Sequence, residues 1–435
     1  MEAKARKIDI RSIWRFLSVW TMPAVVFLVA LSLCFTALRL DPLVSAMLWV
    51  ALLIGPGTLL LRWIHDFRRG FDGQDMADIV ILLFSAGFAF VSAYLGNEGL
   101  TLTYLRKVVF FIGGICFLLS ARTLRFSKRE ALAYGFGSLG AMAVFLVVFV
   151  FRFGTTFVGN GATKSLVLNF PNANGLGLAL FYTIIGLLFL FTETKWKLLK
   201  IVSGLALVAA YLFLYLTRSR NFLFAGVLVL AGAVVLFLLR KTVKGRLGTK
   251  LLFLAFVASP LLIVVVYFLY ISVRYPNFFS DGIALSYSGD GKSALNRVDI
   301  WVRAMKLFDA NPLFGSYFAA TEGLGMSQLH NVHIDVLSAF GLCGYLCFFV
   351  ASFRAYRSAK ETGRKLSLVQ LLCLGALIGI EFSMFFEGGH LNSTISEFLI
   401  IIPLAILKGD QNAKVVEFQN SEILARELPW TRIKV

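Results

Sequence analysis

Side chains that could handle an anionic substrate are concentrated in one polar stretch, residues 295–344. The stretch holds Arg297, Trp301, the segment Asn311-Pro-Leu-Phe-Gly315, and His330-Asn331 at the start of an apolar run with Gly341 and Gly344. The sequence around it is strongly apolar, and ionisable groups near a bilayer are costly unless they have a task. We therefore expect the chemistry of this protein to lie in this stretch.

Two further arginines, Arg218 and Arg220, lie in a very short polar segment between two apolar runs. A guanidinium group binds phosphate through two parallel hydrogen bonds, so both residues and Arg297 are candidate ligands for an anion. The alternative is ordinary interfacial placement, with the aliphatic part of the side chain in lipid and the charge in water. We interpret Arg303 and Lys306 as solvated residues.

His330 is the candidate proton acceptor, because a neutral imidazole near a membrane surface can take a proton from a hydroxyl. Its simpler interpretation is a residue at a helix N-terminus. A metal site drawn from His330, His333, Glu387 and His390 has no recognisable ligand spacing, so we expect no metal and no cofactor.

Asn172 and Asn174 lie in Phe170-Pro-Asn-Ala-Asn-Gly-Leu-Gly177, just before an apolar run. An asparagine at this position can cap a helix. The two amides could equally bind sugar hydroxyls or phosphate, and both interpretations stay open.

Composition places the chain among integral membrane proteins: of 435 residues, 58% are hydrophobic and 15% are charged. Mean hydropathy is +0.80. Apolar runs long enough to cross a bilayer recur, which predicts an all-α fold of about 12 transmembrane helices. The predicted spans are residues 19–38, 42–61, 76–95, 102–119, 131–151, 173–191, 201–216, 222–239, 251–271, 331–350, 366–386 and 393–407.

The largest segment between spans, residues 272–329, predicts an extracytoplasmic loop. Its second half, 293–308, alternates apolar and charged residues as an amphipathic interfacial helix does, and Asn311-Pro312 ends the pattern. We expect a membrane domain over 1–407 and a cytoplasmic tail over 408–435.

The net charge of +18 is distributed unevenly between the two predicted sides. With the N-terminus inside, 30 of the 42 lysines and arginines fall in inside segments, so we predict that both termini are cytoplasmic. The basic excess thus orients the chain and implies no nucleic-acid partner. The five cysteines all lie in predicted spans, where we expect them to pack as small apolar residues.

These motifs, in this order, resemble the O-antigen ligase and O-antigen polymerase superfamily. The resemblance covers residues 75–405 and rests on Phe-x-Asn-x-Asn-x-x-Gly at 170–177, Ser-Arg at 219–220, Arg-x-x-x-Trp at 297–301, Asn-Pro-x-x-Gly at 311–315 and His-Asn at 330–331. It implies a membrane glycosyltransferase of the GT-C type in the cytoplasmic membrane. Such an enzyme takes a glycan from undecaprenyl diphosphate or a similar lipid and transfers it to a sugar hydroxyl on the outer side.

Carried over by position, the resemblance implies that Arg220 and Arg297 hold the diphosphate and that His330 acts at the acceptor. Arg218, Asn172, Asn174, Trp301 and Asn331 are the further substrate-binding candidates. The implied reaction inverts the anomeric centre and needs no metal, since arginines can stabilise the departing charge. Asp299, Asp335 and Glu387 are candidates for an acidic partner of His330.

Ligase and polymerase differ in their acceptor, and these motifs do not separate them. We favour a polymerase because the outer loop offers no feature for docking a large lipid A core. The competing class is a transporter, which would show internal repeats or broken helices in matching halves; we find no clear repeat. A non-catalytic scaffold for glycan assembly is a third possibility, and it would not need the arginines.

Overall fold

The computed structural model describes twelve stretches, which are mostly helical. Ten of them are continuous: residues 22–43, 73–95, 102–122, 124–152, 156–158, 164–238, 311–315, 331–358, 367–384 and 394–409. The other two are interrupted and comprise seven residues between 46 and 59, and residues 301, 304–305 and 308–309.

We number in chain order the ten helices whose bounds the described residues give. They are α1 Met22–Ser32, α2 Gly73–Leu95, α3 Leu102–Ala121, α4 Lys128–Phe151, α5 Ala173–Glu193, α6 Lys197–Leu216, α7 Arg220–Leu238, α8 Val332–Ser358, α9 Leu368–Met384 and α10 Thr394–Lys408.

Five of the described helices, α2, α4, α5, α6 and α8, are long and apolar enough to cross a membrane. Helix α6 exposes an apolar stripe at helical spacing, in which Leu198, Leu205 and Val208 are each at least two-thirds exposed. A soluble helix would bury such a stripe, whereas a membrane helix turns it to lipid. The chain is therefore a multi-pass helical membrane protein.

Eight of the predicted spans coincide with described helices, namely α2 to α7, α9 and α10. The predicted span 251–271 and most of the predicted loop 272–329 lie outside the described residues. So does the tail after residue 409.

Close backbone approach holds the centre of the bundle together. A Cβ at Gly135 of α4 would lie 2.5 Å from Leu190 Cβ and 3.0 Å from the Gly186 carbonyl oxygen, so only glycine lets α4 and α5 approach this closely. The Tyr134 hydroxyl donates a 2.9 Å hydrogen bond to the carbonyl of Tyr182 in α5. Small residues at such contacts are typical of membrane helix pairs, where burial of apolar surface cannot drive association.

Contacts between helix ends agree only in part with the predicted alternation of spans, because Tyr356, near the predicted inner end of α8, bonds to Glu381, near the predicted outer end of α9. At the predicted inner ends, Lys128 pairs with Glu193 at 2.7 Å. At the predicted outer ends, Asn221 Nδ2 donates to the Ser383 carbonyl at 3.3 Å. Which end faces the cytoplasm remains a prediction from the distribution of basic residues.

A buried ion network joins α2, α3 and α8 at their predicted inner ends. Arg122 contacts Asp75 at 2.9 Å and donates from Nε to Asp78 at 3.1 Å. Arg354 donates from Nε to the other Asp78 oxygen at 2.9 Å. Asp75 and Asp78 are almost completely buried, and each carboxylate is balanced by a guanidinium, as burial of charge requires.

A two-stranded antiparallel sheet lies between α4 and α5, where the sequence analysis expected only helices and loops. Strand β1, Phe157–Val158, pairs with β2, Ser165–Leu166, in the register Phe157↔Leu166. Leu166 and Leu168 are fully buried, so the hairpin packs on the bundle.

Helix α8 corrects a second expectation, because the predicted span 331–350 is not one continuous helix. Gly341 breaks it with φ 65° and ψ −168°. His333 Nδ1 lies 3.1 Å from the hydroxyl of Tyr345, although a straight helix would separate residues twelve positions apart by about 18 Å. Residues 332–340 and 342–358 therefore fold back toward each other. A glycine permits this break since it alone adopts such dihedral angles without strain.

Candidate functional site

Arg218 and Arg220 flank the turn between α6 and α7, and both side chains are exposed. Arg218 has φ 57°, the left-handed conformation that non-glycine residues rarely adopt. Within the turn, the Thr217 hydroxyl donates to the Leu214 carbonyl at 2.7 Å and accepts from the Ser219 amide at 3.1 Å. Arg220 is the first residue of α7.

This corner of the molecule concentrates positive charge. The N-terminus of a helix carries about half a unit of positive charge, together with backbone amides that have no partner within the helix. Two exposed guanidinium groups stand beside that end of α7. The arrangement suits an anion with several oxygen atoms, such as a diphosphate.

The arginine turn, residues 217–220, is tied to the first turn of α5. The Ser219 hydroxyl donates a 2.9 Å hydrogen bond to Asn174 Oδ1. Gly177 makes this approach possible, because a Cβ there would lie 2.9 Å from Ser219 Cβ. The predicted motif at 170–177 and the arginine motif thus form one structure.

The two asparagines of that motif have different local roles. Asn172 is the N-cap of α5, and its side chain accepts from the Gly175 amide at 2.7 Å. That bond matches the capping interpretation of Asn172. The side-chain oxygen of Asn174 instead accepts the hydrogen bond from the Ser219 hydroxyl, so it does not cap a helix.

Trp301 is buried, with 8% of its surface exposed, and Ala304 is fully buried. The described residues of the predicted amphipathic helix thus face protein on this side. The helical pattern ends near Asn311, whose amide donates to the Phe308 carbonyl at 3.0 Å and whose carbonyl accepts from Gly315 at 2.7 Å.

The segment 311–315 then docks on the break in α8. The amides of Leu342 and Cys343 donate to the carbonyls of Pro312 and Leu313, at 2.9 and 3.1 Å. In a continuous helix these amides would bond to Ser338 and Ala339. Irregular backbone within a membrane protein must satisfy its polar groups internally, and segment 311–315 does so here.

Ser92 of α2 completes the same arrangement, because its hydroxyl donates to the Ala339 carbonyl. Phe314 packs near Phe88 of α2, with ring centroids 6.0 Å apart. The Asn-Pro-x-x-Gly segment therefore lies between α2 and α8 and sets where the chain re-enters the bundle.

Asn331 is fully buried and caps α8, accepting from the Ile334 amide at 3.0 Å. His333 is buried as well, with its imidazole at hydrogen-bonding distance from Tyr345. Arg297, His330 and Glu387 lie outside the described residues.

Sequence reasoning missed one buried carboxyl group, Glu381 of α9. It accepts a hydrogen bond from the Tyr356 hydroxyl and lines a cavity together with His333 and Ser352. Within the described part of the chain, Glu381 Oε2 has no hydrogen-bond partner. The available signal was a lone glutamate in the apolar run 366–386, because such a residue marks an interior or functional position.

The end of α9 connects these features. Ser383 contacts Asn221, next to the arginine turn, while Glu381 lies two residues earlier and faces the cavity with His333. Among the described residues, no three His, Cys, Asp or Glu side chains converge as metal ligands would.

Residues 204–349 match the family model described as O-antigen ligase. The match covers about one third of the chain, from α6 through the arginine turn to the second half of α8. It includes Arg218, Arg220, Arg297 and His330, whereas Asn172 and Asn174 precede it. The comparison with curated proteins gave no match. Residues 204–349 are therefore similar to the O-antigen ligase family, which confirms the resemblance to the O-antigen ligase and polymerase superfamily.

Proposed function

We propose that this protein transfers a glycan from a polyprenyl diphosphate lipid, such as undecaprenyl diphosphate, to a sugar hydroxyl at the outer face of the cytoplasmic membrane. Its substrates are the donor lipid and an acceptor, which is a glycan or a lipid-linked glycan. The protein itself lies in the lipid bilayer. The observation that carries the proposal is the arginine turn, which presents Arg218 and Arg220 to the exterior of the bundle within the family-matched region.

The leaving group of this reaction is a lipid diphosphate, which gains negative charge as the glycosidic bond breaks. Arg220 and Arg297 are proposed to bind its oxygens, with Arg218 beside them. Fixed cationic donors stabilise the negative charge that develops on the diphosphate, and they need not reorganise during the reaction. A metal ion has this role in other enzymes. The reaction is therefore proposed to need no metal.

On the acceptor side, His330 is proposed to take the proton as the hydroxyl oxygen attacks the anomeric carbon. The bond between that carbon and the phosphate oxygen breaks, and the diphosphate leaves with the electron pair. One displacement inverts the configuration of the anomeric carbon. Trp301 and Asn331 are buried, so their proposed role is to shape the site rather than to lie open on its surface.

We favour polymerisation over ligation, so that the acceptor is a second lipid-linked glycan. The basis is the one from the sequence: residues 272–329 offer no feature for docking a large lipid A core.

Transport is the second candidate, either of a small anion or of a lipid-linked glycan. Two observations favour it: the break in α8 at Gly341 and the buried carboxyl group of Glu381, which lines a cavity together with His333 of α8. Broken helices and buried carboxyl groups are features of ion-coupled transporters.

Purified protein in liposomes tests both candidates. With a polyprenyl diphosphate glycan as donor, we expect longer glycans to form, with inverted linkage, in the presence of EDTA. Glycan movement across the bilayer without a new glycosidic bond would instead support transport. Turnover that EDTA abolishes and Mg²⁺ restores would replace the metal-independent mechanism.

A further inference from the structure

We infer that Asn174 and Ser219 are positioning residues, which hold Arg218 and Arg220 at the separation and direction that a diphosphate requires. The inference rests on the proposed function and deepens it. It also assigns Asn174 a different role from the sugar or phosphate contact expected from its motif.

The arginine turn has a conformation that needs external support. Arg218 lies in the left-handed region at φ 57°, which a residue with a side chain adopts only when its surroundings hold it there. Hydrogen bonds within the turn, from Thr217, fix it relative to α6. None of these bonds fixes the turn relative to another helix.

The bond from Ser219 to Asn174 supplies that second constraint. It joins the turn to Asn174 of α5, which lies 45 residues earlier in the chain. The position of Asn174 is fixed in turn, because Asn172 caps the first turn of α5, in which Asn174 lies. Asn221 then joins the start of α7 to α9. The arginine turn is thus tied to two different helices through residues that alternate with the arginines.

Burial separates the two kinds of residue in this turn. Ser219 is 4% exposed, whereas the neighbours on either side, Arg218 and Arg220, are exposed. The serine hydroxyl is shielded from water, so water cannot easily replace Asn174 as its partner. The two guanidinium groups remain available to a ligand.

Loss of this bond should therefore change ligand recognition more than folding. Bidentate contacts depend on the angle and position of each guanidinium, and small displacements weaken them strongly. A loosened turn would still attract anions through its charge. It would lose its preference for two linked phosphates over one.

The experiment compares binding of farnesyl diphosphate and farnesyl monophosphate to the full-length protein in detergent, by isothermal titration calorimetry. Ser219→Ala is the main variant, because it removes one oxygen atom and leaves the Cβ that packs on Gly177. Asn174→Ala removes the acceptor. Thr192→Ala is the matched control: it lies on the same helix and loses a hydrogen bond to Leu188 at the opposite end.

We expect Ser219→Ala and Asn174→Ala each to weaken diphosphate binding roughly five- to tenfold, the effect of one lost hydrogen bond. The monophosphate affinity should change less, so that discrimination between the two lipids falls. The double variant should be no worse than either single variant, because both remove the same interaction. Thr192→Ala should bind both lipids as the wild type does, and all variants should unfold within a few degrees of one another.

One outcome would overturn the proposed diphosphate site, and another would overturn only the positioning role of Asn174 and Ser219. If the wild type and Arg220→Ala bind farnesyl diphosphate equally, or neither binds it, the proposed diphosphate site itself is wrong. If Arg220→Ala loses binding while Ser219→Ala and Asn174→Ala keep wild-type affinity and discrimination, only the positioning role is wrong.

Discussion

Gly315 and Gly341 meet with their backbones in contact, and both have positive φ, 74° and 65°. A Cβ at Gly315 would lie 2.5 Å from the Gly341 nitrogen. A Cβ at Gly341 would overlap the carbonyl of Leu313. These two glycines come from separate motifs, and their contact joins segment 311–315 to the break in α8.

Replacing either glycine with alanine should undo this junction. Positive φ disfavours alanine, and its methyl group would have to displace backbone atoms, so we expect a loss of at least about 2 kcal/mol in the free energy of unfolding. Glycan transfer should fall with it. Thermal unfolding in detergent and the liposome transfer assay measure the two effects.

Gly204→Ala is the control for both glycine variants. Gly204 lies within α6, and a Cβ there would make an ordinary 3.6 Å contact with Phe191. It should leave stability unchanged or raise it slightly, because alanine favours helix. Gly315→Ala or Gly341→Ala with the stability of Gly204→Ala would show that the junction is not needed.

Arg220→Lys and Arg297→Lys should each reduce transfer about tenfold or more, although the charge is retained. A lysine is a point charge and cannot reproduce the two parallel hydrogen bonds of a guanidinium. Arg303→Lys serves as the comparison and should be almost silent. Survival of activity in purified Arg220→Ala and Arg297→Ala proteins would rule out the proposed binding of the diphosphate by these two arginines.

His330→Ala should slow transfer roughly 10²–10⁴-fold while donor binding persists, the range expected for loss of a general base. Because the base must be neutral, the wild-type rate should fall when acidic pH protonates the imidazole. The variant should lack this dependence. A pH–rate profile that is unchanged in His330→Ala would exclude the histidine as base.

A substitution of His333 should affect the stability of the protein, in contrast to a substitution of His330. His333 is buried against Tyr345 and Phe348 between the two halves of α8. His333→Ala should therefore lower the unfolding temperature, whereas His330→Ala should act on the rate.

The orientation of the chain can be tested with a phosphatase reporter that is active only outside the cytoplasm. Fused after Ser293 it should be active, and fused after Lys244 it should be inactive, because 30 of 42 basic residues lie on the predicted inner side. The opposite pattern would place the arginine turn in the cytoplasm and remove the proposed site with it.

Asp78→Asn should destabilise the protein by up to about 3–5 kcal/mol, because the largely buried guanidinium of Arg354 loses the carboxylate of Asp78, whereas that of Arg122 keeps Asp75. Asp78 is fully buried and contacts both Arg122 and Arg354. The control is Lys128→Gln, whose ion pair with Glu193 is partly exposed and should contribute under about 1 kcal/mol. Equal unfolding temperatures for the two variants would contradict the structural role of the network.

The sequence was sufficient for the class of protein and for the bounds of most helices. A bilayer requires a long apolar run for each span, so hydropathy alone located α2 to α7, α9 and α10 within a few residues. The arginine turn was equally visible, because two basic residues between apolar runs conflict with the surrounding charge distribution. The family resemblance followed from motifs that are local in the chain.

The tertiary structure decided how those motifs combine. The bond between Ser219 and Asn174, the contact between Gly315 and Gly341 and the pairing of Asp78 with Arg354 all join residues far apart in the chain. Hydropathy reports whether a segment suits lipid, and it carries no information about which polar groups meet within the bundle. The break in α8 has the same origin: Gly341 permits it, but the backbone groups it frees can be satisfied only because segment 311–315 docks beside them.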